Sequence, residues 1–287
     1  HQKLVSLALA EKDSLACALF LSCFIKDNED KQKALQSILA GLLEQNRYAE
    51  VMQSIPSISD PEIISSFYYQ LALKYADVGD AQRILELIRF KIPEQSNINL
   101  REVVSIMLKK GFIDQATLIA NTITDSFYNN LALIEIANKH IELGRKEIGI
   151  ELLFKVIDKN KVNTTNVLGY ICQSLAKAGL IDKALDSIST ATDPHNKTQY
   201  LESIAESCIP NNKEQALGIL SKALETADLI APGFPQDYCM LSIANLYLEL
   251  DEASAALKIF DVIPSATGKV DVLVEIAKYF SKKNEKD

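Results

Sequence analysis

Residues 136–144, IANKHIELG, and residues 171–179, ICQSLAKAG, follow one pattern. A large aliphatic residue precedes a compact one, and a glycine stands seven residues after the compact residue. The pattern recurs along the chain with Gly, Asn or Asp at the last position, and residues 39–47 form a degraded copy that ends at Arg47. The compact residues are Ala40, Ala72, Val104, Ala137, Cys172, Ala205, Ala244 and Ala277. Their spacing of 32 to 39 residues indicates a tandem structural repeat.

Each copy is interpreted as a helical hairpin. The glycine suits the left-handed conformation that ends many helices, and a short polar turn and a second helix follow it. A small residue stands in the first turns of each second helix, at Ala81, Ala116, Gly149, Ala184, Ala216 and Ala256. Small residues in both helices allow close packing of their axes. The sequence therefore predicts an all-α fold, a right-handed α-α superhelix (solenoid) of about eight antiparallel hairpins of 32–39 residues.

Composition and charge agree with helices and exclude several classes of function. Only 10 Gly and 8 Pro occur in 287 residues, fewer than turn-rich sheet proteins need. The net charge of −8 argues against nucleic-acid binding. Five cysteines without a C-x-x-C pair indicate a reducing compartment, so we expect a cytoplasmic protein. The longest apolar stretch, residues 15–25, is too short for membrane insertion.

A single repeat domain is expected over residues 1–287. Residues 1–29 read as a partial first hairpin, 30–280 as the tandem hairpins and 281–287 as a frayed tail. The widest spacing, 39 residues, separates Ala205 from Ala244 and includes the proline-rich turn at residues 231–235. This insertion is either a protruding helix end that grips a ligand or a surface spacer.

The repeat resembles the tetratricopeptide family. Hairpins of about 33 residues with a compact first-helix residue, a turn glycine and a second-helix alanine are typical of that family. Its aromatic residue three positions after the compact one is matched by Tyr75, Tyr247 and Phe280, although the chain contains no Trp. HEAT-like and pentatricopeptide-like hairpins are the alternatives, and the acidic charge disfavours the RNA ligands of the latter.

The resemblance implies that the first helices line a concave groove that binds a protein or an extended peptide. The residue after each compact one then faces the groove, and six of these eight residues are polar; the set is Gly41, Leu73, Ser105, Asn138, Gln173, Glu206, Asn245 and Lys278. Positions three before and five after add Glu202 and Glu249 among others. The candidate binding residues are Tyr69, Arg101, Ser105, Lys109, Asn138, Glu142, Gln173, Lys177, Glu206 and Asn245. The alternative is an ordinary solvated helix face.

No motif predicts catalysis, a metal site or a cofactor. Phosphate-binding glycine loops, H-E-x-x-H and G-x-S-x-G are absent from the sequence. His140 occupies a packing position, His195 lies in a linker, and the acid pair Glu202 and Glu206 reads as a solvated helix surface. We therefore expect a non-catalytic scaffold, monomeric or weakly homo-oligomeric. The alternative is a regulatory or substrate-recruiting repeat domain of a larger multidomain enzyme.

Overall fold

The computed structural model describes residues 18, 22, 24–90, 97–159, 165–189 and 191–284. These residues form α-helices and one 3-10 turn, with no β-strand among them, which confirms the all-α solenoid-like class. Most of the predicted partial hairpin over residues 1–29 lies outside the described residues. The chain divides into two compact units, His1–Ala132 and Leu133–Asp287.

The described residues of the first unit form three hairpins and the start of a further first helix. The first helices are α1 (Asn28–Glu44), α3 (Pro61–Asp77), α5 (Asn97–Lys110) and α7 (Ser126–Glu142), in which the unit boundary falls. The second helices are α2 (Tyr48–Ser54), which runs into the 3-10 turn Ile55–Ser57, α4 (Ala81–Phe90) and α6 (Ile113–Ala120).

The second unit continues the alternation of first and second helices. It contains α8 (Lys146–Lys159), α9 (Thr165–Lys177), α10 (Ile181–Ser187), α11 (Pro194–Cys208), α12 (Lys213–Ala227), α13 (Phe234–Glu249), α14 (Ala253–Val262) and α15 (Ala266–Asn284). Residues 281–284 of the predicted tail are helical, and 285–287 lie outside the described residues.

Aspartates begin several of the first helices. The side chains of Asp27, Asp60, Asp125 and Asp193 each accept a hydrogen bond from a backbone N–H in the first turn. A capping carboxylate satisfies one of the amides that a helix start leaves unpaired. Proline follows Asp60 and Asp193 directly, where its fixed φ suits the first helical position. These short signals set where the hairpins begin.

The turn at the end of the first helix has the same geometry in six hairpins. Its key residue has a positive φ, as predicted at Gly79, Gly111, Gly144, Gly179 and Asp251. The next residue donates its backbone N–H to the carbonyl five residues earlier, in every case at 2.9 Å. This bond closes the last turn of the helix.

The register of the first copy differs from the prediction by one residue. Asn46, not Arg47, has the positive φ of 59°, and Arg47 donates to the carbonyl of Leu42. Leu39 therefore holds the compact position and is fully buried, whereas Ala40 is exposed. The prediction of Ala40 was wrong because Leu39 and Ala40 match the pair of an aliphatic and a compact residue in the pattern. The residue seven positions before the positive φ of Asn46 is Leu39.

The sixth hairpin has a different turn. Asn212 was expected to end the first helix in the left-handed conformation, but its φ is −153°. Its side chain instead accepts a hydrogen bond from the amide of Gln215 and caps the start of α12. A short turn between Cys208 and Lys213 replaces the glycine turn of the other copies.

Compact and small residues meet where paired helices cross. Ala72, Val104, Ala137, Cys172, Ala205 and Ala244 are all fully buried. A Cβ added to Gly149 of α8 would lie 2.6 Å from the carbonyl oxygen of Ala137. The thiol of Cys172 lies 3.7 Å from the carbonyl oxygen of Ala184 in α10. Small side chains at both positions therefore set the distance between the two helices.

The corrected register predicts unequal effects for two adjacent substitutions. Leu39→Ala removes a fully buried side chain, so we expect a loss of about 2–4 kcal/mol in the free energy of unfolding. Ala40→Gln changes an exposed position and should alter that free energy by no more than about 0.5 kcal/mol. Urea unfolding followed by circular dichroism measures both. A larger loss for Ala40→Gln would restore the register read from the sequence.

Candidate functional site

The first helices pack side by side within each unit. In the first unit α3 packs on α5, and in the second unit α9, α11, α13 and α15 pack in that order. The residues that directly follow the compact positions lie on one side of this layer. Together with the residues three before and five after each compact position, they form what we call the first-helix face. Most of the predicted residues on it are half-buried, namely Tyr69, Arg101, Ser105, Asn138, Gln173 and Asn245. Lys109, Glu142, Lys177 and Glu206 are exposed.

In the first unit, polar contacts join α3 and α5 across the first-helix face. The hydroxyl of Tyr69 donates a hydrogen bond to Glu102. Burial and this bond to a carboxylate raise the pKa of Tyr69. Lys110 pairs with Asp77 at 2.6 Å. Lys109, the predicted binding residue next to Lys110, is exposed, and its role in binding stays a prediction.

In the second unit, three predicted residues occupy matching positions on neighbouring helices. Gln173 lies on α9, Glu206 on α11 and Asn245 on α13, and these helices pack in that order. Asn138 and Glu142 lie on α7, where Glu142 pairs with Lys139 at 3.1 Å. Two half-exposed amides on either side of a carboxylate offer donors and acceptors at regular intervals.

Glu202 does not lie on a solvated surface, so that interpretation was wrong. Only 9% of the residue is exposed, whereas Glu206, one turn further along α11, is exposed. Ser242 of α13 donates a hydrogen bond to Oε2 of Glu202 at 2.7 Å. The other oxygen, Oε1, is buried and accepts no hydrogen bond from the described residues. Burial raises the pKa of Glu202 to about 7, and the bond from Ser242 offsets part of the rise.

Position alone did not reveal the burial of Glu202. Tyr69 and Arg101 stand at the same place in their hairpins, three residues before the compact one, and both are half-exposed. The difference arises because α13 packs on α11 and brings Ser242 over the carboxyl group. The contact with the neighbouring helix therefore explains why Glu202 is buried while Tyr69 and Arg101 are half-exposed.

A histidine and a cysteine approach each other beside Glu202. His195 is in the first turn of α11 rather than in a linker, and its Nδ1 lies 3.4 Å from Sγ of Cys239 on α13. Cys239 is fully buried, and burial together with the charge of Glu202 raises its thiol pKa to about 12. A nucleophilic cysteine needs the opposite shift and an exposed thiol. This contact therefore packs α11 against α13.

Two aromatic residues extend the first-helix face at the insertion. In the widest repeat α12 ends at Ala227, and α13 begins at Phe234. Phe234 is 80% exposed and Tyr238 52%, with ring centroids 6.2 Å apart. They stand eleven and seven residues before Asn245, spacings that place all three on one side of α13. Neither residue is among those predicted from the sequence, although their four-residue spacing can be read there.

Two further features concern the described residues only. No group of three His, Cys, Asp or Glu side chains is placed to hold a metal ion there. None of the described helices combines the length and the apolar character needed to cross a lipid bilayer.

The buried carboxyl group predicts a pH effect on stability. The pKa of Glu202 rises from 4.5 to about 7 on folding, so between these values the folded state holds more protons than the unfolded one. Stability from this group is therefore full below pH 4.5 and is lost as the pH rises to 7, by about 3 kcal/mol at most.

Glu202→Gln should reduce the loss of unfolding free energy between pH 5 and 8, and urea unfolding at both values measures it. Glu206→Gln, an exposed change on the same helix, serves as the control and should follow the wild type. Equal pH dependence of Glu202→Gln and the wild type would contradict the assigned shift.

Comparison with known proteins gives limited information. No family model matches the chain, and no curated protein is significantly similar in sequence. One similar solved structure is that of Ton1535 from Thermococcus onnurineus NA1, with 17% identity over 99% of this chain and 92% of that one, at a TM-score of 0.34. Another is PH0952 from Pyrococcus horikoshii, described as a Signal Transduction ATPase with Numerous Domains (STAND) protein with a tetratricopeptide repeat sensor. It is 16% identical over 91% of this chain and 43% of its own, also at a TM-score of 0.34. Superpositions this distant carry no inference about function.

Proposed function

We propose that this protein is a non-catalytic scaffold that binds a protein or an extended peptide on its first-helix face. The supporting observation is the row of half-buried and exposed polar side chains on packed first helices, Gln173, Glu206 and Asn245, with Asn138 on α7 of the same unit. Fully buried residues stand directly before Gln173 and Asn245. The helices are therefore fixed by packing while these amides remain accessible.

Amide side chains suit a partner with an extended backbone. Each Asn or Gln offers both donors and an acceptor, so it can pair with peptide N–H and C=O groups without requiring a particular sequence. In the second unit the amides of Asn138, Gln173 and Asn245 lie at equivalent repeat positions on α7, α9 and α13, with Glu206 at that position on α11. A peptide lying across the helices could then use several of them together.

Charged and aromatic residues would add selectivity to this binding. Lys177 and, in the first unit, Lys109 are exposed and can pair with acidic groups of a partner. Glu206 and Glu249 are exposed and can pair with basic ones. Phe234 and Tyr238 offer an apolar contact at one end of α13. The resemblance of the repeat to tetratricopeptide hairpins favours the same face.

Removing two amides should weaken binding without unfolding the protein. Asn138→Ala combined with Gln173→Ala deletes two hydrogen-bonding groups, each worth about 1 kcal/mol, so we expect a loss of affinity of about ten- to thirtyfold. The partner is first recovered from native lysate on immobilised wild-type protein and identified by mass spectrometry. Its affinity is then measured by calorimetry, and circular dichroism checks the fold.

A matched control lies on a second helix. Glu151 and Lys155 form an exposed ion pair on α8, and replacing both by alanine changes polar surface away from the first helices. We expect this variant to bind like the wild type. Loss of binding in the control, with full binding in the amide variant, would place the site on another face.

A further inference from the structure

Helix α15 has two apolar faces. One consists of Val272 and Ile276, which are buried where α15 packs against α13 and α14. The other consists of Val270, Leu273, Val274, Ala277 and Phe280, and we call it the open face. Its four large side chains are between 42% and 58% exposed, and Ala277 is exposed as well. An ordinary surface helix has one apolar stripe rather than two.

Three residues of the open face stand at repeat positions that are buried on nearly all first helices upstream of α15. Leu273, Ala277 and Phe280 stand four before, at, and three after the compact position. The same positions on α13 are Met240, Ala244 and Tyr247, and all three are buried. The residues at these three positions are also buried on the other first helices, with the exception of Leu133, which is half-buried. The buried residues are Leu35, Leu39 and Leu42; Tyr68, Ala72 and Tyr75; Leu100, Val104 and Met107; Ala137 and His140; Leu168, Cys172 and Leu175; Leu201, Ala205 and Cys208.

The element that covers these positions upstream is a second helix. In the second unit α12 packs on α11, and α14 on α13. The contact involves the compact residue directly, since Gly149 lies against Ala137 and Ala184 against Cys172. The covering helix therefore carries a small residue at the crossing point.

The charges at the helix ends favour one orientation of a helix that covers the open face, antiparallel to α15. A second helix that runs antiparallel to α15 begins beside the last turn of α15, where Lys282 is exposed. Five of the seven described second helices carry an acidic residue in their first turn, namely Glu50, Asp114, Glu147, Asp182 and Glu214, whereas α4 and α14 carry none. An acidic start beside a basic helix end is electrostatically favourable.

We infer that the open face of α15 is a docking surface for an amphipathic helix of the second-helix type. Such a helix has a small residue at the crossing point, large aliphatic residues three and four positions further along, and an acidic first turn. This inference rests on the burial pattern of the first helices and does not depend on the function proposed above.

A peptide from this chain provides a probe of that type. The capped peptide of residues 213–227, KEQALGILSKALETA, contains Glu214, the small residue Ala216, and Ile219 and Leu220. Labelled with a fluorophore and titrated with wild-type protein, it should show saturable binding by fluorescence anisotropy. Ala277→Glu should weaken this binding at least about tenfold because it places a charge in the centre of an apolar contact.

Three controls separate docking from loss of structure. Lys278→Glu places a carboxylate one residue away on the polar side of α15, where it also removes the exposed ion pair of Lys278 with Glu275, and it should leave the affinity within about twofold of wild type. Leu273→Gln, a second change on the open face, should weaken binding in the same direction as Ala277→Glu. A peptide with Ala216→Leu should bind less tightly because the larger side chain prevents close approach. Circular dichroism melting should be similar for all protein variants, since the changed positions are exposed.

Two results would overturn the inference. One is no saturable binding at concentrations up to about 1 mM, the weak limit of specific association, or binding that Ala277→Glu leaves unchanged. The other comes from sedimentation velocity: if the wild type is a dimer and Ala277→Glu is a monomer, a second copy of the chain occupies the open face instead of a separate helix.

Discussion

The contact between a compact residue on each first helix and a small residue on the second sets the dimensions of the repeat. Cys172 against Ala184 and Ala137 against Gly149 show that backbone atoms come close enough to leave no space for larger side chains. Close approach lets the large aliphatic residues on either side interdigitate and exclude water. No hairpin of this size can bury its apolar faces alone, so the fold depends on stacking.

Stacking also determines which polar residues are available for binding. Residues directly after the compact positions cannot be buried by the paired helix, because they point away from it. Gln173 and Asn245 remain half-exposed for this reason. The packing of the buried neighbours holds them at regular intervals, so this protein would lose little conformational entropy on binding the proposed partner.

Departures from the regular pattern occur where neighbouring helices supply polar groups. Glu202 is buried because Ser242 of the next first helix covers it, whereas Tyr69 and Arg101 at the same repeat position are half-exposed. The resulting buried carboxyl group is destabilising at neutral pH, which a pure packing role would not require. His195 and Cys239 lie in the same layer between α11 and α13.

The all-α class, the hairpin period and most of the turns could be predicted from the amino-acid sequence. These features depend on local chemistry, such as the positive φ at Gly79 or Asp251, and local chemistry is readable from neighbouring residues. The predicted register of the first copy was wrong by one position at Leu39, because the pattern there is ambiguous. The positive φ of Asn46 identifies the correct register. The predicted polar residues of the first-helix face were placed by the same period.

The environment of individual side chains could not be predicted in this way and depends on the packing of the helices. The structure shows that Glu202 is buried, that Tyr69 bonds to Glu102, and that Ala277 is exposed although every upstream counterpart is covered. Each of these facts depends on which helix lies alongside, thirty or more residues away in the chain. Each copy of the repeat has similar residues, and the sequence pattern describes one copy at a time. Whether a residue is buried depends on the neighbouring copy that packs against it.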